Sequence, residues 1–289
     1  MSAMAVRPVM LTALVCLGLV SSSSAYAFCR THTLDPAASS CPESCMEIGL
    51  PLYWATPHLT YAFNARGFPG LSDTAQRSII GASFDTWQNV RCDDTSIGLE
   101  VRAKSATTTL EVGPEAAEPN ENVVVHFEKS SWASQSLPSR AFAITAVWFN
   151  ARNGEILGAD MMFNGAMDAF GECSPMGCTS TDPHTDLRNV ATHEFGHFLG
   201  LSHSGVPDST MWCDAEARET TKRSLSADDI AGICAVYPPG EAFLAAGPDE
   251  SGKACSLGHG QPGSLASVGL LAALALLCSR RSRRKPPPS

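Results

Sequence analysis

The chain has 289 residues, of which 44% are apolar and 17% charged, and a formal net charge of −9. That length and composition allow one sizeable globular domain, or two small ones, with enough apolar residues to bury a core. Residues 28–254 carry 14 Lys and Arg against 29 Asp and Glu, a net of −15. A body this acidic repels a phosphate backbone and argues against a nucleic-acid partner.

The first 27 residues read as an export signal. Arg7 supplies the positive region, Val9 to Val20 the apolar stretch, and Ala25-Tyr26-Ala27 a small-x-small cleavage site. The apolar stretch is too short for an ordinary membrane-spanning helix. The mature chain is expected to begin near Phe28. Export directs the reading of the cysteines toward disulfides. Eight lie in the mature body: Cys29, Cys41, Cys45, Cys92, Cys173, Cys178, Cys213 and Cys234. Pairings of Cys173 with Cys178 and of Cys213 with Cys234 are expected. The competing reading is a zinc site made of cysteines, but the spacings do not form two C-x-x-C pairs.

Residues 28–51 form a Cys-, Ser- and Pro-rich extension without a clear period. Leu59 to Phe63 alternates and predicts a first strand. Ser72 and Asp73 cap a predicted helix over residues 72–89, with Ala75, Ile79, Ala82, Phe84 and Trp87 at mostly helical spacing. Strands are predicted at Ile97 to Ala103 and at Asn122 to Glu128. Ala141 to Asn150 and Glu155 to Asn164 flank the turn Ala151-Arg152-Asn153-Gly154, a strong hairpin pattern. A loop over 165–185 follows. Thr185 or Asp186 then caps a helix from Leu187 to about Leu199. A last helix falls within Leu225 to Tyr237, with Ser226 as N-cap and Asp228 and Asp229 in its acidic first turn. Strands mixed with two long helices and one late helix make an α+β or mixed α/β domain. From Pro238 the composition changes. Residues 239–263 read as a linker containing Cys255, and residues 264–289 as an apolar run, Leu265 to Cys278, with a basic end. The run is short for a stable membrane helix, and the basic end would stay cytoplasmic.

His193-Glu194-Phe195-Gly196-His197-Phe198-Leu199-Gly200-Leu201-Ser202-His203 carries the chemistry. On a helix, His193 and His197 project from one face, where two neutral imidazoles chelate one zinc ion at about 2.0–2.1 Å each. Glu194 sits on a neighbouring azimuth and reaches a water on the metal without ligating it. Gly200 takes the positive φ that ends the helix at little cost and returns the chain, so that His203 becomes the third ligand. A fourth position is left for water. Isolated histidines at positions 32, 58, 126, 184 and 259 read as surface or satisfied core residues. Met161 and Met162 read as strand packing, and Trp212 as equally cleft-lining or loop-packing.

The spacing H-E-x-x-H-x-x-G-x-x-H resembles the metzincin metalloproteases, and Ser204 after the last histidine resembles their matrixin branch. Met211, eight residues after His203, matches the supporting Met turn. Trp54, Leu59-Thr60-Tyr61, the helix with Phe84 and Trp87, and Leu225, Asp228-Asp229-Ile230 and Tyr237 extend the likeness over roughly residues 52–238. The resemblance implies a twisted, mostly parallel sheet with an antiparallel edge strand, two long helices and a C-terminal helix. It also implies one catalytic zinc held by His193, His197 and His203, with Glu194 as general base and Gly200 and Met211 as structural support. Protein or peptide substrates would lie extended along an edge strand of the 141–164 region, with residues 204–224 shaping the pocket. No Pro-Arg-Cys-Gly latency motif precedes the domain, and the His-x-Asp set of a structural zinc is missing. Calcium is left open, without a ligand pattern to support it. The tail resembles a myxobacterial sorting signal, with Cys255 as its marker, which implies residence outside the cell or at its surface and membrane contact only through that tail. The alternative readings are a non-catalytic binding or adhesion module on the same scaffold, and a zinc amidase or toxin with one special substrate.

Overall fold

Alternation after Pro57 produces β1 (His58–Phe63), which buries Leu59 and Tyr61 on one face. The computed structural model describes residues 27–35, 44–113, 121–167, 169–174, 177–179, 182, 185–216, 218–240 and 268–271. In chain order β1 is followed by α1 (Asp73–Gln88), β2 (Arg91–Cys92), β3 (Thr95–Ser96), β4 (Glu100–Ala103), β5 (Asn122–Glu128) and α2 (Lys129–Ser134). Then come β6 (Ala143–Asn150), β7 (Ile156–Gly165), β8 (Phe170–Gly171), β9 (Thr185–Asp186), α3 (Leu187–Phe198), α4 (Ala227–Val236) and β10 (Val268–Leu271).

The main sheet has the order β10-β6-β7-β5-β1-β4. Strands β4, β1, β5 and β7 are parallel, and β6 returns antiparallel to β7. This is the expected mixed α/β architecture, a mostly parallel sheet with an antiparallel strand at one side. The predicted hairpin is β6–β7, with Gly154 at φ +80°. A Cβ at Gly154 would stand 2.3 Å from the Pro51 carbonyl, so the turn needs glycine for space as well as for its dihedral.

One side of the sheet packs on α1 and α3. Ile79, Ile80, Phe84 and Trp87 of α1 meet Leu187, Ala191, Phe195 and Phe198 of α3, and Phe84 stacks on Phe195. Burying each of the Ile, Leu and Phe side chains contributes about 1.5–3 kcal/mol, so the two helices are fixed against each other by apolar area. The Trp87 indole donates to the Thr192 carbonyl at 2.7 Å. At the end of α3 the Trp54 indole donates to Phe198 O at 2.8 Å and the Tyr237 hydroxyl to Leu199 O at 3.0 Å. These bonds satisfy carbonyls that a helix C-terminus leaves without partners. Met161 and Met162 are buried strand packing, as expected.

Cys173 pairs with Cys178, as expected, and Cys29 with Cys45 within the N-terminal extension. The expected tie between Cys213 and Cys234 is not formed. Cys234 on α4 pairs with Cys92 on β2, 142 residues away, while Cys213 is in a different disulfide. The turn after α1 brings β2 against α4, a proximity that sequence separation does not reveal. The described part of the tail, Val268–Leu271, is a strand paired antiparallel with β6. Among the described residues no helix is long and apolar enough to cross a membrane. The signal segment before Ala27, His184, Cys255, His259 and the basic end lie outside the described residues.

Candidate metal centre

Helix α3 starts at Asp186, whose carboxylate accepts from the Asn189 N–H at 2.7 Å and forms a buried ion pair with Arg223. The helix ends in a Schellman motif. Leu201 N–H donates to Gly196 O at 2.9 Å, Gly200 N–H donates to His197 O at 3.0 Å, and Gly200 has φ +96°. A Cβ at Gly200 would lie 2.8 Å from the Leu52 carbonyl, so glycine is required for both dihedral and space. The chain then reverses and carries His203 back toward the helix.

His193, His197 and His203 each offer one ring nitrogen, all within 4.8 Å of one another, and among the described residues this is the group of three that could hold a metal ion. Their ring centroids are 4.8–5.3 Å apart. The Nδ1–H of His193 donates to Thr210 O at 2.7 Å, and that of His197 to Leu201 O at 2.9 Å. These bonds fix the tautomer and leave each Nε2 with a lone pair for a metal. The carbonyl of Leu201, in the turn that ends the helix, thus also orients a candidate ligand. Burial lowers all three imidazole pKa values: His193 well below 6.5, with repulsion from His197 and His203 adding to the effect, and His203 to about 3. Neutral imidazoles packed this closely suit a divalent cation better than they suit protons.

Glu194, on the same helix, is 5% exposed and sits beside the cluster. Burial raises its pKa to about 7, and a hydrogen bond from Thr145 opposes that rise.

Met211 lies under the helix, 2% exposed. A Cβ on Gly196, between the two helix histidines, would stand 2.0 Å from the Met211 sulfur. The absent side chain at Gly196 is therefore what lets this floor approach. The Asp229 carboxylate holds the Met211 turn by accepting from Thr210 N–H at 2.7 Å and Met211 N–H at 3.0 Å. The same carboxylate closes the capping box of α4 with Ser226. Its neighbour Asp228 accepts from the Ser204 hydroxyl at 2.6 Å and from the Ala27 and Phe28 N–H groups at 2.7 and 3.0 Å. The N-terminal extension meets the same loop, with Thr31 N–H donating to Gly200 O and Ser202 N–H to Cys29 O.

The structure thus brings together all six residues singled out by the sequence: His193, Glu194, His197, Gly200, His203 and Met211. Trp212 is half-buried in the loop after Met211. His126 is buried among Phe68 and Phe170, and His58 is exposed beside Glu100, both away from the cluster. Sequence reasoning missed Thr145 and the tethering roles of Asp228 and Asp229. The adjacent acids of α4 were read as complements to the helix dipole and as part of the family likeness, without a tethering role. Thr145 could have been found as the sole polar residue on its face of an otherwise apolar strand.

Three relatives place this geometry among known proteins. The chain is similar to human neutrophil collagenase, 49% identical over 59 residues, covering 20% of this chain and 13% of that protein. It is similar to mouse matrilysin, 53% identical over 48 residues, covering 17% and 18%. A longer match joins it to human matrix metalloproteinase-16, 29% identical over 188 residues, covering 64% of this chain and 27% of the relative. The chain therefore spans about a quarter or less of the length of these proteins. The family model for matrixin matches residues 53–238, most of the described fold and the whole of the candidate site. The chain belongs to the matrixin family.

Proposed function

We propose that this chain is an exported zinc-dependent endopeptidase that hydrolyses peptide bonds in proteins. The observation that carries the reading is the cluster of three neutral imidazoles with a buried carboxylate beside it on the same helix. His193, His197 and His203 would hold the zinc, Met211 would floor the site and Gly200 would shape the return of the chain. Bound there, zinc supplies Lewis acidity toward a peptide carbonyl and lowers the pKa of a water to about 7. Glu194 takes the proton from the attacking water and passes it to the departing amine. Its buried place on the helix that carries His193 and His197 keeps it beside the water and the leaving amine. Chelation should abolish cleavage of a protein substrate, and added zinc should restore it; cleavage that survives full zinc removal would contradict the reading.

The substrate would lie as an extended strand on the edge of β6 that faces away from β7, close to Glu194, in place of β10. Support comes from β10, which pairs with that edge antiparallel, Val268 opposite Asn150 and Leu271 opposite Val147. The edge is thus competent for strand addition, and the tail and a substrate compete for it.

Processing at both ends belongs to the same proposal. Cleavage after Ala27 would leave the new α-amino group of Phe28 where its N–H now donates to Asp228, a charge-assisted arrangement. Removal of the chain beyond about Cys255 would free the β6 edge and leave the protein at the cell surface or outside the cell. The mass of the native protein should match a chain starting at Phe28 and lacking the apolar tail, and the shortened chain should cleave peptides faster than the full one. An intact C-terminus on the surface protein would overturn the sorting part.

A further inference from the structure

On β6, Ala143, Thr145, Val147 and Phe149 point toward the helix layer, and three of these four are members of its apolar core. Thr145 is the one polar side chain on that face, 7% exposed. A hydroxyl there costs free energy unless it is bonded, and its bonds go to one residue. Thr145 Oγ1 lies 2.7 Å from Glu194 Oε2 and 3.1 Å from the Glu194 main-chain oxygen. A hydroxyl has one proton to give. The shorter contact is to the carboxylate, which is also the stronger acceptor. No described residue bonds to the other carboxylate oxygen, Oε1.

We infer that Thr145 is a positioning residue for the proposed peptidase reaction, holding Glu194 through Oε2 so that Oε1 alone faces the water and the leaving amine. The inference rests on the reading of Glu194 as the base. The terminal torsion of a glutamate is broad and nearly two-fold, so an untied carboxylate samples many orientations about its last bond. The Thr145 bond, made from a rigid sheet strand, removes that freedom and gives the two oxygens different tasks. The proton of the attacking water then goes to Oε1 and leaves from Oε1 to the amine nitrogen. The Thr145 proton stays on Thr145 throughout.

Thr145→Val keeps the shape and removes the hydroxyl; Thr145→Ser keeps the hydroxyl. In zinc-loaded protein, Thr145→Val should lower kcat roughly 10- to 100-fold, the scale of a misplaced catalytic group, with KM and zinc content nearly unchanged. Thr145→Ser should stay within about threefold of the parent, an allowance well inside that scale. The second readout needs no turnover. Crystal structures should show one Glu194 carboxylate orientation in the parent and in Thr145→Ser, and a rotated or split one in Thr145→Val. Loss of kcat in Ser and Val variants alike would assign Thr145 to packing and overturn the inference. So would an unmoved Glu194 carboxylate in Thr145→Val. If the parent cleaves no peptide, the peptidase reading fails, while the crystallographic comparison still decides whether Thr145 orients Glu194.

Discussion

Replacing Glu194 with Gln is expected to lower kcat for peptide cleavage by roughly 10²- to 10⁴-fold, the usual range for loss of a general acid–base group. Gln has nearly the same shape and can still accept the Thr145 hydrogen bond at its amide oxygen, so the helix and the imidazole cluster should be undisturbed. What it cannot do is take a proton from water. The variant should also fold at least as well as the parent. It exchanges a carboxylate that is 5% exposed for a neutral amide, and burying charge is the costlier of the two. Zinc content and thermal stability should therefore match the parent while kcat collapses. Turnover close to that of the parent would remove Glu194 from the base role.

Replacing His203 with Ala should have a different profile. The cluster would lose one of three ligands, and zinc affinity should fall by well over about 100-fold, since disturbing even the partners that orient a ligand costs about 10- to 100-fold. Activity should disappear with the metal. The metal-free fold, in contrast, should barely notice. His203 Nδ1 is buried without a hydrogen-bond partner among the described residues, and burial pushes the imidazole pKa down to about 3. Such a ring contributes little to folding until a metal arrives. The parent should gain stability from zinc, about 4 kcal/mol at a thousandfold excess over Kd, and the variant should lose that gain. Calorimetry with and without zinc separates the two contributions. A variant still stabilised by zinc as strongly as the parent would mean that His203 is not a ligand.

Much of the site was legible because its logic is local. The i, i+4 spacing of His193 and His197 sets their shared face, and Gly200 announces the turn that returns His203. The strands of the hairpin and the caps at Ser72, Asp186 and Ser226 were readable for the same reason, since periodicity and capping act over a few residues. What stayed hidden depends on contacts between distant segments. The Cys92–Cys234 disulfide closes 142 residues, and nothing near either cysteine names its partner. Asp228 and Asp229 look like ordinary first-turn acids until α4 docks against the loop. Their carboxylates then hold Ser204, Thr210 and Met211. Thr145 is one hydroxyl in an apolar strand, and its meaning appears only when β6 lies beside α3. The pairing of Val268–Leu271 with β6 was likewise unreadable, because a short apolar run fits a strand, a helix or a membrane segment equally well.

Three imidazoles and one carboxylate are proposed to form a single zinc site. Elemental analysis of the purified, dialysed protein tests it most directly. One zinc per chain is expected in the parent and in Glu194→Gln, and a content near zero in His203→Ala. A zinc content well below one per chain in the parent would contradict it.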